Sequence, residues 1–171
     1  DIAAVENIKA NVTTVAGISS DVTTVAGISS DVAAVGTARG SPAGCDYGGD
    51  KGIFAYGMVY PNDLSMKNLV SNLGVVAADV TGVGTPRTAL AATGYGSNRQ
   101  TSMFGYGNED NGTYLSMTNL VSNVGVVSTD TDGVGTARHG LGAAGYGADK
   151  AIFGYGTNGS NISLTNLVNN V

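Results

Sequence analysis

Residues 83–133 read VGTPRTALAATGYGSNRQTSMFGYGNEDNGTYLSMTNLVSNVGVVSTDTDG, and closely similar text lies on either side of them. Residues 35–82 run VGTARGSPAGCDYGGDKGIFAYGMVYPNDLSMKNLVSNLGVVAADVTG, and residues 134–171 run VGTARHGLGAAGYGADKAIFGYGTNGSNISLTNLVNNV before the third copy stops early. A period near fifty residues marks a supersecondary unit that buries its apolar face only by packing on its neighbours.

The register separates scaffold from connection. Arg39 to Tyr47, Arg87 to Tyr95 and Arg138 to Tyr146 each span eight residues, and Gly74 to Gly82 matches Gly125 to Gly133. Length changes in only two places. From Gly48, Gly96 or Gly147 to Phe54, Phe104 or Phe153 the separations are 6, 8 and 6; from Gly57, Gly107 or Gly156 to Ser65, Ser116 or Ser163 they are 8, 9 and 7. Fixed segments flanking variable ones read as strands and loops. The expected unit has strand A at ALAATGYG, a tight turn at SNRQ or ADK, and strand B at IFGYG. A loop carrying Asn111-Gly112 or Asn158-Gly159 follows, then strand C around LSMTNLVSN and strand D around VGVVSTD. This predicts a mainly β region of four-stranded repeats over 36–171, with copies at 35–82, 83–133 and a truncated 134–171.

Such a unit, with a Gly-rich second strand and an Arg just before the first, resembles a kelch blade of a β-propeller. FGYG and FAYG stand where kelch has paired glycines, and the kelch Trp is missing. The resemblance implies propeller-like or stacked β architecture. Because about four to eight blades close a propeller, closure would come from other chains or from further sequence.

Ahead of the β repeats, the decads DIAAVENIKA, NVTTVAGISS, DVTTVAGISS and DVAAVGTAR place β-branched residues at Ile2, Val5, Ile8, Val12, Val15, Ile18, Val22, Val25, Ile28, Val32 and Val35. The steps of three, three and four read as heptads with a three-residue stammer, and Ile or Val at both core positions favours more than two strands. The expectation for 1–35 is a helical, trimeric coiled-coil stalk. Gly17, Gly27 and the Thr pairs weaken an isolated helix, so the stripe would need partner chains to bury it; short extended segments wound together are the alternative. The last decad, Asp31 to Arg39, aligns with Asp79 to Arg87, so the stalk would run into the first repeat through a shared junction.

Composition excludes several functions. Of 171 residues only 12% are charged, with a formal net charge of −5, and no Lys/Arg cluster exists to follow a phosphate backbone. No nucleic-acid partner is expected. No run of 18 apolar residues or signal-like N-terminus is present, so no membrane insertion is expected. A start without Met and an end inside a repeat read as a piece of a longer polypeptide. Cys45, the single cysteine, reads as a small buried hydrophobe.

Candidate chemistry is sparse. His139 is the only histidine, standing where Thr88 and Gly40 stand in the other copies, and reads as a loop or strand-edge residue. A copper site like that of the kelch-like oxidases would need two histidines. Asp130-Thr131-Asp132-Gly133 opens like a calcium loop but lacks the closing Glu, and reads as a turn. No GxxxxGK[ST] loop occurs. Arg39, Arg87 and Arg138, with Asp79 and Asp130, read as structural inter-repeat salt bridges. Catalytic residues, metal ligands and cofactors are therefore expected to be absent. Binding would be concentrated in the variable loop between strands B and C. There Tyr60 and Tyr114 could stack on a sugar ring, with Asn62, Glu109 and Asp110 as hydrogen-bonding partners.

The DVTTVAG decads resemble repeats of bacteriophage tail-fibre proteins, and VGTAR, AAGYG, DKAIFGYG, SMTNLVSN and GVVSTDT resemble the arrays that follow them. The resemblance implies a homotrimeric structural component of a virion appendage, extracellular, meeting other tail or baseplate proteins at one end and a host-surface glycan or protein at the other. A bacterial extracellular adhesin or filament subunit with the same repeats is the alternative expectation. A glycan-degrading enzyme is disfavoured, because no paired acidic positions recur across repeats.

Overall fold

The computed structural model describes residues 34–169 together with Glu6, Ile8 and Asn11. The chain divides into two compact units, Asp1–Ala34 and Val35–Val171. The stalk expected over 1–35 lies outside the described residues apart from a few isolated positions.

The described repeat region is mainly β, with one short 3-10 turn at Ser97–Arg99. Copy one holds β1 (Ala43–Tyr47), β2 (Lys51–Ala55), the short pair β3 (Met58–Val59) and β4 (Asn62–Asp63), and β5 (Lys67–Val70). Copy two holds β6 (Ala91–Tyr95), β7 (Thr101–Gly105) and β8 (Thr118–Val121), and copy three β9 (Gly142–Tyr146), β10 (Lys150–Gly154) and β11 (Thr165–Val168). Each copy makes one three-stranded antiparallel sheet in the order β1-β2-β5, β6-β7-β8 or β9-β10-β11. The register is the same in all three: Gly44 faces Phe54, Ala92 faces Phe104 and Ala143 faces Phe153.

Two expectations are corrected. Strand B was read through IFGYG, but β2, β7 and β10 end before the tyrosine, because Tyr56, Tyr106 and Tyr155 have φ of 62°, 66° and 64°. This left-handed turn, continued by Gly57, Gly107 and Gly156, bends the chain out of the sheet. Strand D around VGVVSTD is also not a strand. It returns beside strand C through isolated bridges only, Val70 with Val76 and Lys67 with Val80 in copy one, Val121 with Val127 and Thr118 with Thr131 in copy two. Side chains complete the attachment: Asn68 Nδ2 donates to the Ala77 carbonyl at 3.1 Å, and Asn119 Nδ2 to that of Ser128 at 3.0 Å. The repeats are therefore three-stranded with a tethered return segment.

The sheets pack face on face, the first on the second and the second on the third, with β6 beside both β1 and β9; among the described residues they do not close into a ring. Period-two alternation sends successive side chains to opposite faces. Ala43, Tyr47, Ile53 and Ala55 of copy one meet Leu90, Phe104, Val121 and Val127 of copy two in one buried cluster, and Ala91 meets Leu141 and Phe153 across the next junction. The apolar core thus lies between repeats. Gly82 and Gly133 let the chain cross Ser65 and Ser116 in backbone contact, with no room for a Cβ.

Candidate functional site: an inter-repeat clasp and the loop row beside it

The left-handed turn aims each buried tyrosine at the next repeat. Tyr56 meets Phe104 edge-on with ring centroids 5.3 Å apart, and Tyr106 meets Phe153 at 5.6 Å. On these tyrosines sit the recurring arginines of the following copy: the guanidinium carbon is 4.2 Å from the Tyr56 centroid for Arg87 and 4.1 Å from the Tyr106 centroid for Arg138. The tyrosine hydroxyls donate to the carbonyls of Val83 and Val134 at 3.2 and 3.1 Å. The next glycine N–H closes the junction, Gly57 donating to the Arg87 carbonyl and Gly107 to that of Arg138, both at 3.0 Å.

Within its own copy Arg87, 0% exposed, is fully engaged. Its Nε donates to the Tyr106 carbonyl at 2.9 Å, one terminal nitrogen to the Thr85 carbonyl at 3.2 Å and the other to Asn119 Oδ1 at 2.6 Å. Asp130 lies 3.8 Å from the guanidinium and accepts from Asn119 Nδ2 and from the Thr85 N–H and hydroxyl. Burial pushes the Asp130 carboxyl up, but the hydrogen bonds from Asn119 and Thr85 and the charge of Arg87 outweigh it and hold it below its ordinary range. In copy one Asp79 likewise accepts from Asn68 Nδ2 and from the Thr37 N–H and hydroxyl and lies 3.9 Å from Arg39, but Arg39 donates to the Thr37 and Phe54 carbonyls at 3.4 Å rather than to Asn68. The ion pairs Arg39–Asp79 and Arg87–Asp130 join residues of one copy, which corrects the inter-repeat salt bridge expected from the sequence. What crosses between repeats is the arginine on the tyrosine ring.

The residue after each arginine bridges the B–C loop of its own copy, Thr88 with Asn108 and His139 with Thr157. His139 also stacks on Tyr114, with centroids 5.0 Å apart and planes 14° from parallel. One face of the Tyr114 ring is therefore occupied, whereas Tyr60 is 87% exposed. Asn62 lies in the β3–β4 pair and is exposed, Asp110 is exposed and Glu109 is half-buried. The neighbouring loops come together at Asp63, whose carboxylate oxygens are buried without a hydrogen-bond partner. Burial raises the Asp63 carboxyl above its ordinary value, and the charges of Asp110 and Glu109 raise it further. Of the five loop residues read from the sequence, Glu109 and Asp110 are thus brought near Asp63, next to Asn62, while Tyr60 and Tyr114 lie on these same two loops, Tyr60 exposed and Tyr114 stacked on His139.

Sequence reasoning missed Asp63 as the link between loops and His139 as the partner of Tyr114. The signal was available: His139 follows Arg138, and that arginine's backbone is held by the second glycine of the preceding FGYG. Among the described residues, no three His, Cys, Asp or Glu side chains are grouped to hold a metal ion. No helix there is long and apolar enough to cross a membrane. Cys45 is half-buried against the first core cluster, and burial pushes its thiol up to about 11. No protein-family model and no curated protein matches this chain.

Proposed function

We propose that this chain is a structural, non-catalytic module of a phage tail fibre or related virion appendage, with propeller-like or stacked β repeats that display binding loops toward a host surface. One observation carries this reading. Thr85, Arg87 and Asn119, which have counterparts in all three repeats, and Asp130, matched by Asp79, are engaged in holding the scaffold, while one of the two segments that vary between repeats lies in the loops at 58–64, 108–115 and 157–162. A rigid scaffold with variable loops is the usual arrangement for recognition. The exposed Tyr60 ring next to Asn62 offers an apolar face with a polar edge suited to a saccharide. The decads of 1–35 are the segment proposed to gather chains into a homotrimer.

The test is adsorption. The purified chain should bind the host cell surface and compete with particle attachment, and a Tyr60→Ala/Asn62→Ala variant should fold as the wild type yet lose that competition. Equal competition by wild type and variant would remove the loop assignment. Proteomics of purified virions separates a fibre component from a bacterial adhesin.

A further inference from the structure

In two places an asparagine of this chain is followed by glycine, Asn111-Gly112 and Asn158-Gly159, and both pairs lie in B–C loops. Copy one has no such pair, because its Asn62 precedes Asp63. Gly112 and Gly159 are left-handed, with φ of 84° and 103°, and a Cβ on either would meet nothing within 4 Å. The backbone nitrogen that follows each asparagine is therefore unguarded by a side chain. Asn111 and Gly112 are exposed although copy three follows them in the stack, so this tip stands clear of the next repeat; Asn158 and Gly159 are exposed in the same way.

The two tips are held differently by bonds within each loop. In copy two the Gly112 N–H donates to the Glu109 carbonyl at 2.9 Å, and the Glu109 N–H donates to the Thr113 carbonyl at 3.0 Å. Asn111 Oδ1 accepts from the Thr113 N–H at 2.8 Å, which fixes the side chain as well as the backbone. The loop of copy three is shorter, with seven residues from Gly156 to Ser163 against nine from Gly107 to Ser116. Its bonds are longer: the Gly159 N–H donates to Thr157 Oγ1 and the Asn158 N–H to the Ser160 carbonyl, both at 3.3 Å. Among the described residues no hydrogen bond ties the Asn158 side-chain amide.

We infer that Asn158 is a site of spontaneous deamidation, and that the hairpin of copy two restrains the same reaction at Asn111. The Gly159 backbone nitrogen gives its proton to solvent base and attacks Asn158 Cγ. A Cγ–N bond forms, the Cγ–Nδ2 bond breaks, and the amide nitrogen leaves as ammonia. Water then opens the cyclic imide at either carbonyl, giving aspartate or, when the backbone bond is the one cleaved, isoaspartate. Amide and water become acid and ammonia, with no change of oxidation state. The new carboxyl is ionised at neutral pH. It places a negative charge on residues 157–162, which carry none, and isoaspartate also lengthens the backbone. The charge and path of this loop therefore change with the age of the protein, whatever the loop binds. At Asn111 the reaction must first break the bonds from Gly112 and Thr113, which slows it on the order of tenfold, the rate equivalent of one or two ordinary hydrogen bonds.

The full-length chain is incubated at neutral and mildly alkaline pH, native and in denaturant, and aliquots are digested and mapped by mass spectrometry against an unincubated control. In the native protein the amide at Asn158 should be converted to acid, faster at the higher pH because the attacking nitrogen must lose its proton. Conversion at Asn111 should lag by roughly tenfold. In denaturant the two sites should react at similar rates, since each then precedes an unrestrained glycine. Native Asn158→Gln, with circular dichroism as the folding control, should lose the more acidic species that wild type accumulates on anion exchange. Persistence of the Asn158 amide while the denatured chain reacts, or native conversion at Asn111 as fast as at Asn158, overturns the inference. Neither outcome bears on adsorption, so the fibre reading is tested separately.

Discussion

The guanidinium carbon of Arg87 stands 4.2 Å from the centroid of the Tyr56 ring, and the two residues belong to different repeats. A desolvated cation over an aromatic face contributes about 2 kcal/mol, more than the same contact in water. The arginine is held from below by Tyr106, Thr85 and Asn119 and from above by Tyr56, so one side chain joins the internal order of a repeat to its stacking on the repeat before.

Replacing Arg87 by Lys keeps the charge but removes the planar fork and leaves Asn119 Oδ1 and the Tyr106 carbonyl without their donor. We expect a loss of about 3 kcal/mol in unfolding free energy, in the range for breaking a buried charged network. Arg39→Lys, at a position whose Nε is unpartnered and whose terminal nitrogens make only long bonds of 3.4 Å to the Thr37 and Phe54 carbonyls, should cost about 1 kcal/mol, the scale of one ordinary hydrogen bond. Denaturant midpoints of the two variants check the order; equal losses would show that the tyrosine contact adds nothing.

Gly133→Ala places a Cβ against the Ser116 backbone, where neither partner is a flexible side-chain end. Overpacking of this kind costs about 1–3 kcal/mol. Gly142→Ala meets nothing within 4 Å and restores the residue found at Ala43 and Ala91, so it should be neutral or slightly stabilising. Thermal melts of both variants distinguish a steric requirement from mere preference.

The depressed carboxyl of Asp130 gives an acid dependence with a definite sign. Its folded pKa lies below the ordinary 3.8, so the unfolded chain takes up the proton first as pH falls. Stability contributed by the carboxylate is complete above that ordinary value and disappears as pH drops through the folded one. Asp130→Asn should therefore be less stable than wild type at neutral pH, and the difference should close below pH 3.8. Unfolding curves across acidic pH measure it.

Asp63 has the opposite sign. With a folded pKa above 3.8, its ionised form destabilises the native state at neutral pH, and the penalty fades as pH falls through the folded pKa toward that ordinary value. Asp63→Asn should raise the melting temperature at neutral pH, with the gain vanishing in acid. A lower melting temperature at neutral pH would indicate that the charged carboxylate has a stabilising role.

The Cys45 thiol, pushed up to about 11, carries almost no thiolate at neutral pH. Thiol titration with a disulfide reagent should be slow in the native protein and complete at once in denaturant. Fast native labelling would mean that the junction between the first two sheets opens readily.

Much of the scaffold was legible because repetition makes register visible. Equal spacing from Arg39 to Tyr47 and its counterparts located β1, β6 and β9, and the variable separations after Gly57, Gly107 and Gly156 located the loops. Strand D was misread because VGVVSTD has the β-branched composition of a strand, while its attachment is made by isolated bridges and by the Asn68 and Asn119 side chains, which no pattern rule anticipates. The salt bridges were assigned across repeats because arginine and aspartate lie at opposite ends of each copy in sequence. Folding brings those ends together, and Thr85 and Asn119 secure them.

By itself the sequence determined the period, the β character of residues 36–171 and the separation of scaffold from loop, since all three depend on local composition and spacing. Only the tertiary structure decided what the recurring arginines and tyrosines do. A left-handed turn at Tyr56 carries its ring out of its own sheet, so its partners, Phe104 and Arg87, come from the following repeat. The same turn recurs at Tyr155, whose ring is 66% exposed. That difference arises from position in the stack, because the local sequence FGYG is identical at Tyr106 and Tyr155.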